Sequence, residues 1–120
     1  MTTATKPAAA SLDAPEQHLT RGGVEIDVVH LGDMKVKRAT YPRGWRFSKD
    51  MGEDRCGDTH VGYCLSGGFH IVLGDGTELD IKTGDAFAIP ANHDAWTVGD
   101  EPATIVQFDE GGSAAERYGL

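Results

Sequence analysis

The chain has 120 residues, 39% of them hydrophobic and 25% charged, with 16 glycines and 2 cysteines, the make-up of one small globular domain with no room for a second. No apolar run approaches the roughly 18–20 residues of a membrane-crossing helix, and the alanine-rich start lacks the apolar segment of a secretory signal, so no membrane partner is expected and the expected compartment is the cytoplasm. Nineteen acidic residues against eleven basic ones leave a net charge of −8, which repels a phosphate backbone and sets nucleic acid aside as a partner.

Residues 1–20 are rich in Ala, Thr and Pro and bury too little apolar surface to offset the entropy of ordering, which predicts a flexible N-terminal tail. A body over 21–110 follows, with a C-terminal tail over 111–120. Within the body, period-two alternation marks half-buried strands: Val24, Ile26 and Val28 alternate with Glu25 and Asp27, and Leu79 and Ile81 alternate with Glu78, Asp80 and Lys82. Further strands are expected over 34–41, 60–66, 69–73, 85–89, 95–98 and 104–108, about eight in all. Between them stand turn residues such as Gly32-Asp33, Gly67-Gly68, Gly74-Asp75-Gly76 and Gly84-Asp85. No long apolar stripe at helical spacing interrupts them, so the fold class is all-β and antiparallel, a sandwich or barrel.

A polar side chain on a strand is cheap facing water and costly facing the core. In an extended chain, Asp54, Cys56, Asp58, His60 and Cys64 share one face, opposite Val61, Tyr63 and Leu65. Cys56 and His60 would then stand about 13 Å apart, so convergence on one ion requires a bend, for which Gly52 and Gly57 are suitable. His93, just after Pro90-Ala91-Asn92, is placed to supply a third donor at a barrel mouth. A thiolate, two imidazoles and the Asp54 carboxylate form a ligand set suited to a divalent metal, zinc first, with iron, nickel or cobalt also accommodated. Cys64 reads as a small core residue, and His18, His30 and His70 as surface or hydrogen-bonded groups. Asp94, Tyr63 and Asp58 are the candidate proton carriers, and Trp96 is expected to be buried close to His93.

These residues resemble the cupin superfamily. Its first motif, G-x5-H-x-H-x3,4-E-x6-G, is matched by Asp54-Arg55-Cys56 and then His60 to Gly67: His60 stands at the Glu position, Cys56 at the second His and Asp54 at the first. In the second motif, G-x5-P-x-G-x2-H-x3-N, Gly84 precedes Pro90 at the right spacing, the following loop is two residues shorter, and His93 takes the His position. The resemblance covers residues 45–108 and is similar to a subgroup of small bacterial single-domain cupins carrying D-x-C-x3-H followed by His93-Asp94-Ala95-Trp96. It implies a jelly-roll (cupin) barrel with a metal-ligand constellation inside, and no particular reaction, since three of four usual ligand positions have changed type.

The functional expectation is a metal-dependent enzyme of lyase, isomerase or hydrolase type acting on a small organic molecule inside the barrel. Alternatives are a non-catalytic barrel that binds a small ligand or a structural metal, a barrel without metal, and a metal-dependent dioxygenase, against which the oxidisable thiolate argues. A homodimer is expected, with the apolar strand Val24 to Leu31 serving as the pairing edge.

Overall fold

The computed structural model describes residues 6–109. They form nine strands, β1 (Gln17–Arg21), β2 (Val24–Leu31), β3 (Met34–Tyr41), β4 (His60–Ser66), β5 (Gly68–Leu73), β6 (Glu78–Lys82), β7 (Ala86–Ile89), β8 (His93–Thr97) and β9 (Ala103–Asp109), with one helical turn, α1 (Phe47–Asp50). Every strand pairing is antiparallel. A six-stranded sheet in the order β1-β2-β3-β9-β4-β7 and a three-stranded sheet in the order β6-β5-β8 make the two walls of a jelly-roll barrel.

The inward phase of each strand supplies the core: Val24, Ile26 and Val28 from β2, Phe69 and Ile71 from β5, Phe87 and Ile89 from β7, and Ile105 from β9 are all buried. Each of the larger ones contributes about 2–3 kcal/mol by leaving water. Tyr41 stacks edge-on against both Trp45 and Phe69, with centroids 4.7 and 4.8 Å apart, and Trp45 meets Phe47 from α1. This aromatic cluster has the edge-to-face geometry that ring quadrupoles favour.

Two details position the site. Gly67, at φ +70°, turns β4 directly into β5, and a side chain there would strike the Pro102 carbonyl and Ala103. A bulge between Cys64 and Ser66 breaks the β4–β9 register, while Gly62 stays paired with Gln107 on one side and Phe87 on the other.

Two expectations are corrected. Residues 17–20, read as part of a tail, belong to strand β1, paired along its length with β2. Only Leu19 packs on the core, so backbone pairing rather than burial pattern makes this strand. In consequence Val24–Leu31 is not an edge, because β1 and β3 flank it; the six-stranded sheet ends at β1 and β7. Residues 1–5 of the expected N-terminal tail, and 110–120, which hold the C-terminal one, lie outside the described residues.

Candidate metal centre

The centre starts from a backbone contact. Cys56 forms an isolated antiparallel bridge with His93: its N–H donates to the His93 carbonyl at 2.8 Å, and its own carbonyl accepts from the N–H of Asn92 at 2.8 Å and of His93 at 3.3 Å. Asn92 makes this possible by adopting φ +67°, a left-handed conformation that Asn tolerates better than most residues. The turn delivers His93 into β8 with Cys56 beside it. A bend at Asp58 then carries the chain back into β4, so the straight-strand separation of Cys56 and His60 collapses to 3.4 Å between Sγ and Nε2.

The ligand atoms of Cys56, His60 and His93 all lie within 4.8 Å of one another. A tetrahedral zinc site with one thiolate and imidazole nitrogens has donor atoms about 3.5 Å apart, so the three side chains fit such an ion without rearranging the backbone. His93 Nδ1 is 2.8 Å from the Pro90 carbonyl. A carbonyl only accepts, so Nδ1 carries the proton and Nε2 presents its lone pair. The two imidazoles meet edge-on, centroids 5.1 Å apart.

Electrostatics favour the ligand form of both rings. Burial, helped by the positive charges of His93 and Lys37, drives His60 down to about 4. Burial also lowers His93, against the opposing Pro90 carbonyl bond and the charges of Asp94 and Asp58. Both imidazoles are therefore neutral at neutral pH, as metal ligation requires.

The fourth expected ligand is not brought in: Asp54 is exposed and outside the cluster, because residues 51–55 run as successive bends before Cys56 instead of the extended strand that would have aligned it. Neither catalytic candidate lines the barrel cavity. Tyr63 is 42% exposed on the outer phase of β4. Asp94 alternates with His93 and Ala95 on β8 and so points outward, where Arg46, the Ser48 hydroxyl and the Ser48 N–H hold its carboxylate. Burial works to raise the Asp94 pKa, but those partners and the Ala95 N–H outweigh it and keep the carboxyl below its ordinary value. Trp96 shares that outer phase: it is half-buried, stacked under Arg46 at 4.5 Å and against His70 at 4.9 Å, and Trp45 lines the cavity instead. Asp58 is buried but does not join the ligand cluster. Cys64 is fully buried with its thiol against the Ser66 and Gly67 carbonyls, and His70 lies between Asp80 and Glu78.

The three donors open onto a cavity of about 110 Å³ between the sheets. Besides Arg21 at the end of β1, three polar residues of that cavity carry no motif: Lys37 and Tyr41 on β3, and Gln107 on β9. The Gln107 amide interacts with both the His60 ring and the Tyr41 hydroxyl, and Lys37 pairs with Asp109. Strand parity was the available signal, since Ala39 and Ile105 are inward and these residues stand two positions away.

No protein-family model matches the chain, and no curated protein matches its sequence. Solved structures do match. Ectoine synthase from P. lautus is similar with a TM-score of 0.68 at 12% identity, over 94% of this chain and 85% of that one. An RmlC-like cupin from Shewanella frigidimarina gives 0.60 at 15% identity, over 88% and 92%. KdgF from a Halomonas species gives 0.56 at 19% identity, over 82% and 89%. At these identities the likeness is one of fold: the chain is built as a cupin barrel.

Proposed function

We propose that this cupin-fold chain is a mononuclear zinc enzyme of lyase, isomerase or hydrolase type, acting on a small organic molecule held in the barrel. The observation that carries the reading is the convergence of Cys56, His60 and His93 on one point of a cavity otherwise lined mainly by apolar side chains. A thiolate with two imidazoles is a borderline-soft donor set suited to zinc, and iron, nickel and cobalt are the other ions it accommodates. A divalent ion bound there would polarise a carbonyl or hydroxyl and bring the pKa of a bound water toward about 7.

The chain's own residues then have definable tasks. The Pro90 carbonyl fixes the His93 tautomer, and Gln107 steadies the His60 ring. Tyr41, whose pKa burial raises with help from the nearby Cys56 charge, stays protonated and is a hydrogen-bond donor inside the cavity. Trp45, Phe69 and Phe87 exclude water from the bound molecule. A purely structural zinc site fills all four positions with protein, whereas this cluster offers three donors among the described residues, which favours the catalytic over the structural reading.

Metal analysis tests the reading. Protein purified without a histidine tag and dialysed against a weak chelator is expected to retain one zinc per chain, measured by inductively coupled plasma mass spectrometry. Cys56→Ser is expected to lose it while keeping the wild-type circular dichroism spectrum. Equal metal content in wild type and Cys56→Ser removes Cys56 from the site and with it the zinc-enzyme reading.

A further inference from the structure

The charge of the cavity wall is opposite to that of the molecule. The chain carries a net charge of −8, yet among the described residues no aspartate or glutamate lines the cavity, and its two charged lining side chains are Arg21 and Lys37. Lys37 is only 4% exposed. A lysine so deeply buried is rare and costly unless its charge is answered. Asp109, which is not part of the cavity lining, answers it. An ammonium carries three N–H donors in different directions, so one carboxylate does not exhaust it.

The metal centre adds to this balance. A single thiolate beside two neutral imidazoles offsets one of a divalent ion's two charges, the Lys37–Asp109 pair is neutral, and Arg21 adds a guanidinium to the same wall, so the charge lining this apolar, poorly solvated space is positive. Of the remaining wall, Ile26, Trp45, Phe69, Ile71 and Phe87 are apolar. A cavity of about 110 Å³ is somewhat smaller than the roughly 150 Å³ apolar cavity that accepts benzene, which limits an enclosed guest to about six non-hydrogen atoms.

We propose that the molecule bound here is a small organic monocarboxylate, its head group between Lys37 and the Cys56–His60–His93 centre and its apolar remainder against Trp45, Phe69 and Phe87. The inference rests on the proposed metal centre for the placement of the head group, and deepens that reading by naming a ligand class. Lys37 selects charge, the aromatic wall selects an apolar body, and Asp109 positions the Lys37 ammonium.

Isobutyrate and isobutyramide have the same shape and differ in charge, which makes them the probe pair. In amide NMR titrations of zinc-loaded protein, isobutyrate is expected to bind about tenfold more tightly than isobutyramide, a difference of about 1.4 kcal/mol, with shifts on β3 and β9. In Lys37→Met that preference is expected to fall to about threefold or less, since the ammonium donors are lost while the centre keeps its own charge, and zinc content stays at the wild-type level. Should Lys37→Met fail to fold because Asp109 is left unpaired, the double variant Lys37→Met/Asp109→Asn removes the stranded charge and carries the same expectation. Equal binding of the two probes, no isobutyrate binding into the millimolar range, or an undiminished preference in the Lys37 variant overturns the proposal. The two readings fail separately. Wild type that retains no zinc but shows a Lys37-dependent preference retires the metal and keeps the anion site; stoichiometric zinc without preference does the reverse.

Discussion

Gly62→Ala is the sharpest structural test of how the barrel holds its centre. Gly62 is buried on β4, two residues after His60, between Gln107 of β9 and Phe87 of β7. A Cβ at this position would sit 2.2 Å from the Val106 carbonyl oxygen and 2.8 Å from Phe87 Cζ. The phenyl ring can turn aside, but the carbonyl belongs to the β9 ladder. Restoring even a 3.0 Å separation moves the strands apart by about 0.8 Å, enough to stretch neighbouring ladder hydrogen bonds beyond useful length. Overpacking costs about 1–3 kcal/mol and the weakened buried hydrogen bonding a similar amount, offset by about 0.4–1 kcal/mol from the stiffer unfolded chain. The net expectation is a loss of about 3 kcal/mol. Gly76→Ala is the control: with φ +90° and nothing within 4 Å of a new Cβ, it incurs only the backbone penalty of about 1–2 kcal/mol. Urea unfolding followed by circular dichroism measures both. Gly62→Ala is also expected to weaken zinc binding, since His60 rides on the displaced strand. A Gly62→Ala protein within about 1 kcal/mol of wild type would refute the claim that this close approach sets the position of β4.

Cys64→Ser is expected to cost about 1–2 kcal/mol and leave zinc content unchanged, because the Ser66 and Gly67 carbonyls that accept from the thiol, at 3.4 and 3.6 Å, remain available to a hydroxyl; loss of zinc in this variant would contradict its assignment to the core. For metal-free protein, acid is expected to destabilise the fold, since burial first, then the His93 and Lys37 charges, hold His60 near about 4 against the ordinary 6.5, and burial lowers His93 as well. Between those values the unfolded chain binds protons that the folded chain refuses, so stability is full above 6.5 and falls as pH drops toward 4, by about 3 kcal/mol for His60 alone. His18 and His70, raised by hydrogen bonds to Asp27 and Asp80 first and then Glu25 and Glu78, act above 6.5 and with the opposite sign. Identical urea midpoints for chelator-treated protein at about pH 7 and about pH 4.5 would contradict the buried-histidine account.

The strands of the body were legible in the amino-acid order because their signal is local. A half-buried strand alternates with period two, and the glycine turns that bound it act over a few residues, so β2, β3, β4 and β6 stand where alternation and turns put them. Cys56, His60 and His93 stood out as candidates through the strand face or barrel mouth where they were read and the cupin motifs they resemble, and folding brings their ligand atoms within 4.8 Å of one another. What folding decided is which parity faces inward once the chain bends, and which distant strand supplies the neighbour. A straight reading aligned Asp54 with Cys56 and His60 and held the latter two far apart; the Cys56–His93 bridge and the bend at Asp58 closed that distance, while the bends over 51–55 left Asp54 in solvent. Strand β1 carries almost no apolar signal and exists because its backbone groups pair with β2. Lys37 and Gln107 looked like ordinary polar strand residues, and only the register that sets them opposite each other across β3 and β9 makes them part of the cavity wall. Local alternation is written in neighbouring residues, whereas facing and pairing depend on contacts between residues tens of positions apart, which one-dimensional spacing does not encode.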